Sequence, residues 1–207
     1  GHMTQAIALQ DLLTRHGHTV IEALVGSSSR RDIPSFFSQR IRCPVRTFES
    51  PNFLVANDRR ILVARTVVYS FARALVYFQS LAYLRRRIRE LAPDLVVNFY
   101  EPMCGWACGL RLRAVPYVTL AHQYLFLHPS FTFPRHSPFQ RLGAQIYTIA
   151  FSVRARRRLA LSFTPLPDKP ARGVFVVPPL LRSQVREARP TQGRHILGYM
   201  LNPGYAS

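Results

Sequence analysis

The groups best suited to chemistry in this sequence are a histidine at its start, a glutamate ahead of a proline, and a His-Gln pair after an apolar run. His2 precedes the apolar stripe Ala6, Ile7, Leu9, Leu12 and Leu13, which places it at a helix N-terminus. Unpaired N–H groups and the helix macrodipole there favour an anion or a developing negative charge. The same field depresses an imidazole pKa, keeping the ring neutral and able to accept a proton from a hydroxyl. Glu101, before Pro102, stands at a second helix start, where an ionised carboxylate suits the binding of hydroxyl groups. His122 and Gln123 follow an apolar strand, Asn98 ends another, and Thr4 suits the cap of the first helix. Each has a plainer use as well: a histidine in a glycine loop can simply cap a helix, and a glutamate before proline is often an exposed first-turn charge.

These residues need a scaffold that carries them to one place. Thr4 to His16 reads as a helix closed by Gly17, and Thr19 to Val25 as a strand running into Gly26 and the polar loop Ser27 to Arg31. Ile33 to Arg40 fits a short helix, Val45 to Phe48 a strand, and Ser50 to Asn57 a loop. Arg59 to Leu91 is the longest apolar-periodic stretch, a helix stopped by Pro93, with Ala64, Val68, Phe71, Leu75, Phe78 and Ala82 on one face. Strands follow at Asp94–Phe99, Pro116–Ala121, Leu159–Phe163 and Val174–Val177, with helices opening at Pro102 and at Ser137-Pro138. Gly105 and Gly109 share a helical face, where missing Cβ atoms let the helix sit close to the sheet. This alternation predicts an α/β domain with a doubly wound, mainly parallel sheet over residues 1–181. The helix at the very start calls for a preceding strand, so one strand of the unit is missing from the sequence as read. Residues 182–193 turn polar and read as a linker, and 194–207 as the first strand and loop of a second domain. In such a sheet the ligand crevice lies outside the carboxyl ends of the strands, the rim to which all the candidate residues map.

Composition narrows the partners. The chain carries 28 Lys+Arg against 10 Asp+Glu, a formal charge of +18 that favours polyanions such as nucleic acid, anionic lipid or phosphorylated substrates. Lys169 is the only lysine, so part of the basicity reflects an arginine-rich coding bias. Three cysteines fit a reducing cytoplasm, and Cys104 and Cys108 at helical spacing read as packing rather than metal ligands.

The run Gly1-His2-Met3-Thr4-Gln5-Ala6-Ile7-Ala8-Leu9, ending in Arg15-His16-Gly17-His18-Thr19-Val20, resembles the first motif of GT-B glycosyltransferases. Pro93 to Val97 with Glu101-Pro102, Leu120 to Gln123, and Val176 to Arg182 resemble later stretches of the same group. The nearest resemblance is to bacterial proteins similar to the lipid-linked N-acetylglucosamine transferase of peptidoglycan synthesis. It implies a Rossmann-like N-terminal domain that holds the acceptor, and a C-terminal domain, absent here beyond its first strand, that binds the nucleotide sugar. It also implies no tightly bound metal or cofactor, His2 as the base or as a ligand orienting the acceptor hydroxyl, and a fragment inactive alone. Thr4, Asn98, Glu101, His122 and Gln123 are the expected acceptor contacts.

Other classes fare less well. Thr66 to Leu84 is long enough to span a bilayer, yet Arg73 near its middle would cost roughly 2.5–3.5 kcal/mol. An interfacial helix, with Arg85-Arg86-Arg87 and Arg89 beside it, is the better expectation, and it favours a cytoplasmic protein docked peripherally on anionic membrane. No helix-turn-helix, zinc-finger or RNP-like pattern accompanies the arginine clusters, which argues against nucleic acid. A Rossmann dehydrogenase would need Gly-x-Gly-x-x-Gly and an acidic residue after the second strand, and neither is present.

Overall fold

The computed structural model describes residues 2–27, 33–51, 55–56, 60–61, 63–110, 115–133 and 138–194. Seven helices and eight strands occur among them: α1 His2–Arg15, β1 Ala23–Ser27, α2 Ser35–Arg40, β2 Val45–Glu49, β3 Val55–Ala56, β4 Arg60–Ile61, α3 Val63–Ala72, α4 Ala74–Leu91, β5 Val96–Asn98, α5 Pro102–Gly109, β6 Tyr117–Ala121, α6 Pro138–Ala150, β7 Arg158–Leu161, β8 Val174–Val177 and α7 Ser183–Glu187. A 3-10 segment, His122–Leu127, follows β6 directly. The expected parallel α/β class is what is seen. Its strands pair in two parallel sheets, β1-β2 and β5-β6-β7-β8, while β3 and β4 form a short antiparallel pair, β3 inside the stretch expected to be loop and β4 at the start of the stretch expected to be helix.

Helix α1 starts at His2, so Thr4 lies in its first turn and is not its cap. Its end follows the sequence signal: Gly17 has φ +80°, Gly17 N–H donates to Thr14 O at 3.1 Å and His18 N–H to Leu13 O at 3.0 Å. That pair of bonds is a Schellman closure, which satisfies carbonyls the helix leaves over.

The long apolar helix is broken in two at Arg73, whose guanidinium reaches the Glu49 carboxylate at 3.2 Å. Its packing face also differs from the one the apolar spacing picks out. Ser80, Leu84 and Ile88 are buried, with Tyr77 and Leu81 beside them against Phe48, Met103, Ala107, Cys108 and Tyr117. Val68, Phe71, Leu75 and Phe78 face solvent. Among the described residues no helix is long and apolar enough to cross a membrane.

Gly105 and Gly109 do permit a close approach, but to a turn and not to the sheet. A Cβ at Gly105 would lie 2.3 Å from Phe151 O, and one at Gly109 2.1 Å from Val153 O. Trp106 Nε1–H donates to Ala150 O at 3.0 Å, and the Tyr117 hydroxyl donates to Val153 O. The turn after α6 is therefore locked onto α5. Cys108 is buried in this layer and Cys104 adjoins it, both as packing groups.

Of the segment read as a linker, residues 183–187 form α7. Gly1 and residues 28–32 lie outside the described residues, as do 195–207, on which the expected second-domain strand falls.

Candidate functional site

Parallel pairing puts the carboxyl ends of β5, β6 and β7 on one edge of their sheet. Residues 98–101, 122–123 and 162–163 leave that edge as its rim. The N-terminus of α1 meets it: Gln5 Nε2 lies 3.4 Å from His122 Nε2. His122 Nδ1 lies 2.8 Å from Leu161 O at the end of β7. A carbonyl only accepts, so Nδ1 carries a proton and donates it to Leu161 O, and Nε2 is the ring atom that faces the Gln5 amide. Phe163 stacks on the same imidazole, with centroids 5.8 Å apart and ring planes 13° apart, while 81% of it stays exposed.

His2 belongs to this cluster, since the charge of His122 reaches it. Its pKa is lowered, first by the protein crowded around it, then by the positive charges of the amino terminus and of His122. The residue nonetheless remains exposed to solvent. The direction agrees with the one expected at a helix terminus, but its causes are desolvation and neighbouring positive charge, not the helix dipole. At neutral pH His2 is an uncharged imidazole open to solvent. It can take a proton.

Gln123 belongs to the same 3-10 segment as His122, and its Oε1 is buried without a hydrogen-bond donor, as is Gln5 Oε1. Buried acceptors without partners are uncommon, and ligand N–H or O–H groups can satisfy them. Thr4 lies in the first turn of α1, between His2 and the core residues Ile7 and Ala8.

A second cluster forms around Glu101. This residue caps α5, its Oε2 accepting from Cys104 N–H at 2.6 Å, and its Oε1 accepts from the Ser50 hydroxyl. Asn98, almost wholly buried, donates from Nδ2 to Glu101 O at 3.0 Å and accepts the Glu101 N–H at 2.8 Å. Between them Tyr100 takes φ +61°, a left-handed conformation for which a non-glycine residue costs roughly 1–3 kcal/mol. Its hydroxyl shares a 2.9 Å hydrogen bond with Thr148 of α6, and its ring meets Tyr124 edge-on at 5.5 Å. The β5–α5 turn is thus clamped from both sides.

Sequence reasoning expected the Glu101 carboxylate to be easily ionised and open to a ligand. Burial raises its pKa instead, against the hydrogen bonds from Ser50, Cys104 and Met103 that lower it. Both carboxylate oxygens and the Asn98 amide are engaged within the turn, which makes these two residues positioning groups. No hydrogen bond joins Glu101 to His2 or His122 among the described residues. Gln5, Ser50 and Phe163 were not singled out from the sequence, because nothing local marks a mid-helix glutamine, a loop serine or a phenylalanine past a strand as part of a rim.

A pH and capping test follows. A raised carboxyl pKa means that the folded state holds the proton more tightly than the unfolded one. Glu101 therefore contributes most below its raised pKa, and that contribution fades as pH rises through it. Glu101→Ala removes the cap and is expected to cost about 0.5–2 kcal/mol by urea unfolding, with a larger loss at pH 5 than at pH 8.

No group of three or more His, Cys, Asp or Glu residues able to hold a metal occurs among the described residues. A parallel α/β sheet with polar residues gathered along its carboxyl rim is a Rossmann-like architecture, in which that rim is the usual place for a ligand. The profile of glycosyl transferase family 1 matches residues 1–207, and the chain belongs to that family. Among solved structures the chain resembles MurG of Acinetobacter baumannii, with a TM-score of 0.51 at 16% identity over 90% of this chain and 44% of that one. At that identity the likeness is one of fold, and the chain spans less than half the length of the relative. No curated protein matches the chain.

Proposed function

We propose that the chain is the acceptor side of a glycosyltransferase that moves a sugar from a nucleotide-sugar donor to an acceptor hydroxyl. The observation that carries this reading is the solvent-accessible, neutral His2 at the start of α1, grouped with Gln5 and His122 on the carboxyl rim. His2 accepts the proton of the acceptor hydroxyl as that oxygen bonds to the anomeric carbon of the donor sugar. The bond from that carbon to the donor phosphate breaks, and the departing nucleoside diphosphate keeps the electron pair. A histidine acting as base in a single displacement favours inversion at the anomeric carbon.

His122 is held between Leu161 and Gln5, the partnerless Oε1 atoms of Gln123 and Gln5 accept from the acceptor hydroxyls, and Thr4 adds a further polar contact in this reading. Asn98 and Glu101 fix the β5–α5 turn that walls the other side. Catalysis by positioning and proton transfer needs no tightly bound metal or cofactor. Residues 1–181 form the acceptor domain, 182–193 a connecting segment, and 194–207 the opening of the donor half. The acceptor is lipid-linked in this reading, which rests on the resemblance noted above and on the basic, apolar surface of the chain. The protein then works at the cytoplasmic face of an anionic membrane, where nucleotide sugars are available.

The test is turnover of a radiolabelled nucleotide sugar by residues 1–207, alone and with a donor-binding half supplied. The chain alone is expected to show no transfer above background, and the combination to restore it. Full turnover by residues 1–207 alone would contradict the division of labour.

A further inference from the structure

We infer that α6 is the helix by which this chain docks on an anionic lipid bilayer, with its outer face in the interface and its inner face holding the rim of the site. Phe139, Leu142, Ile146 and Ile149 follow at intervals of three and four residues, so they form one stripe along α6, and all four are exposed, Phe139 by 88%. Soluble proteins rarely leave such a contiguous apolar stripe without a use.

The charge around the stripe selects its occupant. No Asp or Glu occurs between Glu101 and Asp168, while eight arginines do. Arg141 lies on α6, and Arg154, Arg156 and Arg157 are exposed in the turn that follows it. None of these four pairs with an acidic side chain among the described residues. Apolar side chains beside cationic groups with no internal counter-ion are the chemistry of an interfacial helix on anionic headgroups.

The apolar stripe of α3 and α4, the surface that the sequence marks for this role, is less suited. Glu49 holds Arg73, Glu22 binds Arg87 at 2.7 Å and Glu90 lies 3.1 Å from it, so much of the neighbouring positive charge is neutralised within the protein.

The opposite face of α6 touches the site. Gln145 Nε2–H donates to Phe126 O at 2.9 Å in the 3-10 segment that begins with His122, and Thr148 bonds Tyr100 in the β5–α5 turn. A bilayer lying on the outer face would thus be one helix diameter from the rim, about 10 Å. This gives a lipid-linked acceptor a short path to His2. The docking surface stands on its own observations, and only this last use of it rests on the transferase reading.

The experiment is co-sedimentation of residues 1–207 with vesicles of phosphatidylcholine containing phosphatidylglycerol, against vesicles of phosphatidylcholine alone. The wild-type chain is expected to bind the anionic vesicles and not the neutral ones. Phe139→Ser with Ile146→Ser should weaken binding by about tenfold or more, since two large apolar side chains leave the interface. Phe71→Ser with Phe78→Ser should weaken it by less than about threefold, a comparison in which both pairs are surface changes. A circular dichroism melt equal to wild type confirms that each pair folds. No binding of wild type to anionic vesicles overturns the proposal, and so does an α6 pair that binds like wild type. A wild-type dimer in sedimentation velocity that the α6 pair abolishes overturns it too, because the stripe is then a contact between copies. Transfer to a water-soluble acceptor by the α6 pair, with a donor half supplied, reports on the transferase reading separately and should be unchanged.

Discussion

Replacing His2 by alanine is expected to lower kcat/KM for transfer by roughly 10²–10⁴-fold, the usual contribution of a positioned general base. The measurement is steady-state kinetics with a donor-binding half present. The loss should fall mainly on kcat, because the proton moves only as the acceptor oxygen bonds to carbon, and a group that acts in the transition state alone leaves ground-state binding intact. His2→Gln keeps a hydrogen-bonding side chain at the same helix terminus but removes a usable base, so it should be nearly as slow as His2→Ala. If His2→Gln instead recovers most of the rate, the ring orients the acceptor and does not take its proton. Stability should change little in either variant, since His2 is solvent-accessible and makes no core contact comparable to those of Ile7 or Ala8.

The largest stability effects are expected at Gly109 and Gly105. A Cβ at Gly109 would come to 2.1 Å from Val153 O and 2.9 Å from its carbonyl carbon, and one at Gly105 to 2.3 Å from Phe151 O. These are backbone atoms, and the turn that carries them is held by Trp106, Tyr117 and the Ser152–Arg158 hydrogen bond of 2.7 Å, so it cannot step aside cheaply. Gly109→Ala and Gly105→Ala are each expected to cost about 3 kcal/mol or more, the upper range for overpacking. Gly143 in α6 is the internal comparison: its added Cβ meets nothing within 4 Å. Gly143→Ala should be neutral to stabilising, by up to about 1 kcal/mol, through helix propensity. Chemical unfolding of the three variants tests the contrast. Similar midpoints for Gly109→Ala and wild type would mean that α5 does not rest on residues 151–153.

These glycines show where the sequence is legible and where it is not. Spacing alone puts Gly105 and Gly109 on one helical face and announces a close contact. It does not say whether the neighbour is a strand or a turn, because the contact is made with residues more than forty positions away. Gly17 was fully readable, since a Schellman closure is local and demands a positive φ at its end. The long helix was readable in its apolar period and not in its break. The break falls at Arg73, whose side chain meets Glu49, a partner that no window around residue 73 contains.

The packing face of α4 illustrates the same limit. The stripe that runs from Val68 and Phe71 on α3 to Leu75 and Phe78 on α4 is the more regular, yet the core takes Ser80, Leu84 and Ile88. Periodicity reports that a face is apolar, not what covers it. In the candidate site, His2 and His122 were accessible to inspection because parallel strands send their following residues to one rim. Glu101 was also found, but its role shifted. A carboxylate at a helix start is easily ionised if water reaches it, and here Ser50 and Cys104 take both oxygens while burial raises the pKa.

If His2 is the base, its place with Gln5 and His122 at the carboxyl edge of a parallel sheet accounts for a histidine on the first turn of α1. Desolvation and the charge of His122 both press His2 towards its neutral form. A lysine or arginine there would stay charged and could not accept a proton.

The most direct measurement is the pH dependence of kcat/KM for the wild-type enzyme and for His2→Gln. If His2 is the base, the wild-type rate falls on the acid side with an inflection below 6.5, the unperturbed imidazole value, and that limb disappears in the variant. An unchanged acid limb in His2→Gln, at close to the wild-type rate, would show that proton transfer at this rim does not pass through His2.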